Sequence, residues 1–283
     1  MSAKIIDGKY HSENILNEVR AEVADIVMQG GRPPCLAVVL VGDDEASKIY
    51  VGSKQKKCEE IGFTSVAHIK PSTISEDELL TLIDMLNNDS GVDGILVQSP
   101  LPKHINADNV FEAVAPGKDV DCFNPYNIGL VSMGKDGLVP CTPAGCVELL
   151  RREKINMSGA DCVVIGRSNI VGRPAASLMI KESATVTVCH SRTKDLAAVV
   201  RGADIIIAAI GKKHFVTPDM VKDGAVIVDV GINRTPGSKK IHGDVDPACM
   251  EKASYMTPVP GGVGPMTIAM LMSNCLTAYK KLR

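Results

Sequence analysis

Five short runs constrain this chain more than anything else in it: CLAVVLV at Cys35–Val41, GILVQ at Gly94–Gln98, CVVIG at 162–166, DIIIAAI at 204–210 and AVIVDV at 225–230. Each is almost wholly apolar and too short for a helix, so each reads as a strand covered on both faces. Two further strands are expected at 65–70 and 185–189. Helical spacing fills the gaps. Ile15, Val19, Val23 and Ile26 make an amphipathic helix over 11–28, closed by Gly30 and Gly31. A second helix follows Gly42-Asp43-Asp44 and runs to about Glu60. Ser75 and Glu78 form a capping-box pattern ahead of Leu79, Leu82, Ile83 and Leu86. Further helices are expected from Pro143 to Glu153 and from Met266 to Leu282.

Strand–helix alternation with both-face-buried strands implies parallel sheets with helices on each side, an α/β fold. Residues 104–140 break the rhythm. Rich in glycine and proline, they read as a long loop, of the kind that is functional or linking. The break divides the pattern into two domains. Residues 1–140, completed by a returning C-terminal helix (265–283), form an N-terminal α/β domain. Residues 141–264 form a Rossmann-type nucleotide-binding domain.

Composition removes several function classes. With 283 residues and a formal net charge of -2, the chain lacks the basic excess of a nucleic-acid binder. No run of 18 apolar residues is present to cross a membrane. The start, MSAKIIDGKY, has no signal-peptide core, and a cytoplasmic location is expected. Nine cysteines, an odd number with no C-x-x-C pair, suit reduced core thiols better than disulfides or zinc. The six histidines show no H-E-x-x-H spacing, so no metal is expected.

VVIGRSNIVGRP, Val163–Pro174, runs from a strand through glycines into a helix. In a doubly wound sheet, ligands sit at the carboxyl ends of strands, where Gly166 falls. The helix starting near Gly172 offers N–H groups to phosphate, and Ser168 or Asn169 could add side-chain hydrogen bonds. A plain strand–helix corner would use the same glycines. The next strand, ATVTVCHSRT, argues for a ligand. An NAD site carries a carboxylate near this point for the ribose 2′-hydroxyl. Here stand His190, Ser191 and Arg192, and Arg167 can close in from the first loop. Planar guanidinium donors suit the 2′-phosphate of NADP.

In the first domain Tyr50 and Lys54 lie at i and i+4 of one helix, with Ser47 a turn earlier. An amine so placed works near neutral pH only if burial or a cationic neighbour lowers its pKa. A solvated helix face is the plainer alternative. Gln98 ends its strand at the ligand edge, where a neutral amide could hold Lys54 or bind a heterocycle. Asp121, in KDVDCFNP, could accept hydrogen bonds from ring N–H groups. Asp119 competes for that role.

YVGSKQKKCEEIG, DGILVQSPLPKHI, PGKDVDCFNPYNIG, PCTPAG, GRSNIVGRP, TVTVCHSRT and TPVPGGVGPMT together resemble the bifunctional methylenetetrahydrofolate dehydrogenase/methenyltetrahydrofolate cyclohydrolase family in its bacterial single-polypeptide form. The motifs follow family order along the whole chain. The resemblance implies NADP-dependent oxidation of 5,10-methylenetetrahydrofolate and hydrolysis of the product to 10-formyltetrahydrofolate. It implies a homodimer whose two domains face each other across a cleft. By similarity Lys54 is the central catalytic group, Tyr50 stacks on the folate, Gln98 tunes the lysine and Asp121 anchors the pterin. The implied folate contacts extend to Val97, Ser99, Pro260, Gly261, Gly262 and Gly264. Those to NADP fall on Gly166, Arg167, Ser168, Ser191 and Ile232, with Arg192 added from the phosphate argument above. The chain departs from the family pattern in three places. Ser99 stands where an apolar residue is common, Cys122 where glycine is usual, and NIGLV replaces NIGRL.

Overall fold

The computed structural model describes residues 2–235 and 240–282, apart from the side chains of Glu45, Ala46 and Tyr50. The chain divides into two compact units. One comprises Asn14–Leu130, Asp136–Cys141 and Met270–Arg283, the other Met1–Glu13, Val131–Lys135 and Thr142–Ala269.

The first unit is built on three parallel strands, β2 (Cys35–Val41) between β3 (Thr64–Lys70) and β4 (Gly94–Val97). All seven residues of β2 are buried, as its unbroken apolar run requires. Helix α3 (Glu76–Asn88) lays Leu79, Leu82, Ile83 and Leu86 on Ala37, Val39 and Val97, and its Ser75/Glu78 capping box is formed. The amino ends of β2 and β4 are tied by Asp93. Its carboxylate takes both Arg32 guanidinium nitrogens, at 2.6 and 2.8 Å, and the Cys35 N–H at 2.8 Å.

The second unit holds a six-stranded sheet in the order β1-β11-β8-β7-β5-β6, with parallel pairing throughout. Its strands are β5 (Asp161–Ile165), β6 (Thr185–Cys189), β7 (Ile205–Ala208), β8 (Val226–Asp229), β11 (Tyr255–Met256) and β1 (Lys4–Ile5). The chain steps from β5 outward to β6, then returns past β5 to β7. That reversal is the topological switch at which α/β sheets bind nucleotides. A two-stranded antiparallel pair, β9 (Asn233–Arg234) and β10 (Ile241–His242), follows β8.

Several expectations need correction. Residues 104–140 are not a loop throughout: they contain α4 (Ala107–Ala113) and α5 (Pro125–Ser132). Neither helix is long enough to show an apolar period. Asn106 and Asn124 accept from the N–H groups of Asp108 and Tyr126 at their starts. The edge strands β3 and β6 are half exposed rather than covered on both faces. The first thirteen residues belong with the second sheet, because β1 pairs with β11; two-residue strands leave no pattern to read. Helix α1 (Gly8–Met28) starts at Gly8 and α9 (Val263–Lys281) at Val263, each three residues earlier than periodicity indicates. No described helix is long and apolar enough to cross a membrane.

Candidate active site

Helix α2 (Glu45–Glu60) explains how a lysine becomes half-buried in the first unit. Asp44 caps it, accepting from the Ser47 N–H and hydroxyl at 2.8 Å each. Ser47, Val51, Cys58 and Ile61 are all buried, and at their spacing they form one stripe. Lys54 occupies the middle of that stripe, where an apolar residue would ordinarily stand. Burial lowers its pKa, and the nearby Asp121 and Cys141 oppose that shift more weakly. Tyr50 lies on the same helix, but its side chain is outside the described residues.

The amine has a prepared partner. Lys54 Nζ donates to Gln98 Oε1 at 2.9 Å, and Gln98 Nε2 donates to the Ser99 carbonyl at 2.7 Å. One end of the amide is thus spent on backbone, which leaves the oxygen facing the lysine. Gln98 follows directly on β4, whose last residue, Val97, is buried. Ser99 contributes its main chain here, so its departure from an apolar residue leaves the Gln98 clamp intact.

Asp121 reaches Lys54 by a second route. Residues 118–120 run beside β4, with Ile95 bridged in parallel to Asp119 and its N–H on the Lys118 carbonyl at 2.7 Å. Gly94 permits this approach, since a Cβ there would lie 2.7 Å from Val120 Cγ1. The register carries Asp121 to the level where β4 ends. Its competitor is already committed. Asp119 accepts from Phe123 N, Asn124 N and Asn127 Nδ2 at 3.1, 2.8 and 3.0 Å, which makes it the organiser of the turn into α5. Asp121 is left to face Lys54 and Cys141. Burial raises its pKa, against the pull of Lys54. Amine and carboxyl are therefore both displaced toward their neutral forms. The turn itself explains the family's glycine: Cys122 has φ +62°, a left-handed conformation costly for a residue with a Cβ.

Cys141, which opens α6 (Cys141–Arg152), was not singled out by sequence reasoning. It is fully buried in the set, its thiol donating to the Val120 carbonyl at 3.3 Å, and burial holds its pKa well above the ordinary value. PCTPAG carried it in plain view, but a cysteine in an apolar setting carries no chemical signal of its own.

The second unit presents a nucleotide edge. Gly166 ends β5 with φ +132°, and a Cβ on it would meet the Ala209 carbonyl oxygen at 2.2 Å. A Cβ on Gly172 would lie 2.2 Å from the Gly166 oxygen, so only two glycines allow the loop to close on itself. Ser168 Oγ accepts from Val171 N and Gly172 N at the start of α7 (Gly172–Lys181). Arg167 and Ser168 are exposed there. Beyond β6 the HSRT turn is preorganised. Arg192 N donates to His190 Nδ1 at 3.1 Å, and His190 N to Thr193 Oγ1 at 2.8 Å. Ser191 and Arg192 face solvent. The carboxylate of this turn, Asp195, caps α8 (Leu196–Arg201) through Ala198 N. No free acid is left in this turn to hold a ribose 2′-hydroxyl, and the donor set fits a phosphate. Ile232, exposed beyond Gly231, lies past the carboxyl end of β8.

The Pro260–Gly264 segment also lies in the second unit and leads into α9. Gly261 has φ +108°, and its carbonyl accepts from Lys9 N at 3.2 Å. A Cβ on Gly8 would sit 1.8 Å from the Gly262 oxygen, so the start of α1 packs directly on this loop. Gly264 has open space around it. The structure thus brings Lys54, Gln98 and Asp121 together in one unit, and the glycine loop, HSRT turn and PGGVG segment belong to the other.

Both halves of this arrangement match known family models. The catalytic domain of tetrahydrofolate dehydrogenase/cyclohydrolase matches residues 6–121, and its NAD(P)-binding domain matches 140–283. The chain is 54 % identical over 280 residues to the "Bifunctional protein FolD" of Agathobacter rectalis, covering 99 % of this chain and 100 % of that one. The crystal structure of the Campylobacter jejuni bifunctional methylenetetrahydrofolate dehydrogenase/cyclohydrolase superposes with a TM-score of 0.96 at 48 % identity, over 99 % of each chain. The Trypanosoma brucei dehydrogenase-cyclohydrolase, complexed with NADP and an inhibitor, gives 0.94 at 36 % identity, over 99 % of this chain and 98 % of that one. A desolvated lysine in one unit, a nucleotide edge in the other and likeness along the full length agree: the chain belongs to the tetrahydrofolate dehydrogenase/cyclohydrolase family.

Proposed function

We infer that this protein oxidises 5,10-methylenetetrahydrofolate to 5,10-methenyltetrahydrofolate with NADP, and hydrolyses that product to 10-formyltetrahydrofolate. The observation that carries this reading is the Lys54 amine, desolvated on a helix stripe and aimed at the oxygen of Gln98. NADP, when bound, supplies the hydride acceptor. Gly166, Arg167, Ser168, Ser191, Arg192 and Ile232 are the residues that would hold it, with the arginines on its 2′-phosphate.

For the oxidation, the protein positions the folate and keeps charge away. As hydride departs, positive charge develops across N5, the bridging carbon and N10. An ammonium beside that bridge would oppose it, and a neutral Lys54 does not. For the hydrolysis, water attacks the methenyl carbon. Neutral Lys54 takes its proton and later returns it to the departing nitrogen as the C–N bond breaks. Help of this kind is worth about 100- to 10,000-fold in rate. Gln98 orients the amine throughout, Asp121 accepts hydrogen bonds from the pterin ring, and Tyr50 offers it a stacking face. Val97, Ser99 and the Pro260–Gly264 segment complete the folate contacts. As functional domains the catalytic part is assigned to 1–140 with 265–283 and the NADP part to 141–264, although the residues up to Glu13 pack with the second sheet, and the working form is a cytoplasmic homodimer.

Turnover of methylenetetrahydrofolate with NADP, followed by the reduced-nicotinamide and methenyl absorbances, tests the reading. Lys54→Met is expected to lose hydrolysis by about 100-fold or more and still bind NADP. In the parent protein the hydrolytic rate rises with pH through a limb set by Lys54, at a pH below the ordinary lysine range because burial lowers that pKa. Undiminished hydrolysis by the methionine variant would overturn the assignment.

A further inference from the structure

We propose that Asn274, on the C-terminal helix α9, is a positioning residue for the Lys54 site. It holds the backbone leading to Asp121 and the backbone leading to Cys141 at a set separation. The inference rests on the reading of Lys54 and Asp121 as the folate site.

Asn274 is 4 % exposed, and its helical neighbours Met272, Cys275, Leu276 and Ala278 are buried and apolar. An amide in that company is out of place unless both its hydrogens are used. Both are. Asn274 Nδ2 donates to the Val120 carbonyl at 2.8 Å and to the Val139 carbonyl at 2.7 Å. Val120 is the residue before Asp121, and its carbonyl belongs to the peptide plane that joins the two. Val139 stands two residues before Cys141. One amide therefore bridges the two segments that deliver the carboxyl and the thiol to Lys54.

The Val120 carbonyl is the hub of this arrangement. It takes Asn274 Nδ2 and the Cys141 thiol, one donor for each lone pair. With both acceptor directions filled, rotation of that peptide plane breaks a hydrogen bond whichever way it turns, and rotation of that plane is what would swing Asp121. Asn274 Nδ2 is also 3.6 Å from Cys141 Sγ, so amide, thiol and carbonyl close a small ring beside the lysine. No charged group on α9 takes part. The groups that face Lys54 are Asp121, Cys141 and Gln98, with Asp119 acting on Asp121.

Without the amide the two segments are free to part and Lys54 becomes more exposed to water. The amine then moves back toward its ordinary range, because burial is what lowers it. The test is Asn274→Leu, compared with Leu276→Ala, which damages the same helix without touching the amide that donates to the two carbonyls. Hydrolysis is measured as kcat against pH. In parallel the Lys54 amine is titrated by NMR of 13C-lysine-labelled protein, the resonance assigned through Lys54→Met. The expected result for Asn274→Leu is a fall in kcat of roughly 10- to 100-fold, the scale of a misplacement near 1 Å. The rising limb of the profile and the Lys54 titration should both move to higher pH, with NADP affinity unchanged. Leu276→Ala should lower thermal stability and move neither. If the leucine variant does not fold, Asn274→Ser, which removes the reach to the carbonyls without forcing an apolar branch against them, carries the same expectation. A folded Asn274 variant whose Lys54 titration stays in place overturns the proposal. A shifted titration in a protein that never hydrolyses methenyltetrahydrofolate would leave the positioning role standing and remove the functional reading instead.

Discussion

Cys122 shows how much a single backbone angle decides beside this site. Its φ of +62° belongs to the left-handed region, and its N–H closes the turn onto the Asp119 carbonyl at 3.0 Å. A left-handed residue with a Cβ costs about 1–2 kcal/mol. In return the thiol is buried and donates to the Leu138 carbonyl at 3.3 Å, a contact that glycine cannot make. These terms nearly offset, so Cys122→Gly should unfold within about 1 kcal/mol of the parent, whereas β-branched Cys122→Val should cost about 2 kcal/mol or more. Urea titration of the two variants decides it; equal losses would mean that the angle does not govern this position. The same turn separates Asp119 from Asp121. Two aspartates two residues apart are chemically alike on paper. Only the donors from Phe123, Asn124 and Asn127 reveal which one is spent on structure.

Among the elements, the turn after β6 carries the cofactor argument. It is held by His190 Nδ1, Thr193 Oγ1 and the Asp195 cap, so Arg192 projects from a fixed frame and can be removed without disturbing it. Arg192→Ala should therefore weaken NADP by about 10- to 100-fold, the worth of a charge-assisted hydrogen bond, and leave NAD nearly unaffected. Dissociation constants for both nucleotides measure this, and equal losses would show that the arginine does not read the 2′-phosphate. Elements of this kind were legible in the sequence where burial leaves a pattern. The apolar runs of β2, β4, β5, β7 and β8 appear as strands, and the capping box of α3 forms as read. Lys54 was legible as one half of a pair with Tyr50. Its place on the buried stripe Ser47–Val51–Cys58–Ile61 could also have been read, by asking which face of α2 is covered. What was not legible depends on contacts made at long sequence separation. β1 finds β11 about the full chain away, α4 and α5 are too short for a period, and Asn274 is an ordinary polar residue until Val120 and Val139 are placed beside it.

Across the whole molecule, the nine cysteines are free and buried, distributed between both units as core volume. Burial has a consequence at alkaline pH. Cys58, Cys146, Cys162 and Cys249 are each pushed from the ordinary thiol value up to about 12 by loss of solvation. The folded protein keeps these protons where the unfolded chain releases them. Their contribution is therefore complete below pH 9 and is lost progressively as pH rises from 9 toward 12. At pH 10, one unit above the unfolded value, each such thiol removes about 1 kcal/mol, and the four together remove several kcal/mol. That is a large share of the roughly 5–15 kcal/mol that holds a domain together. The protein should accordingly keep its denaturant midpoint from pH 7 to 8.5 and lose it steeply by pH 10. Cys162 isolates the effect, because burial alone shifts it. Cys162→Ala, though less stable at neutral pH, should lose about 1 kcal/mol less than the parent between pH 8 and pH 10. Unfolding free energies at the two pH values give this difference directly. Parallel losses in parent and variant would show that buried thiols do not set the alkaline limit.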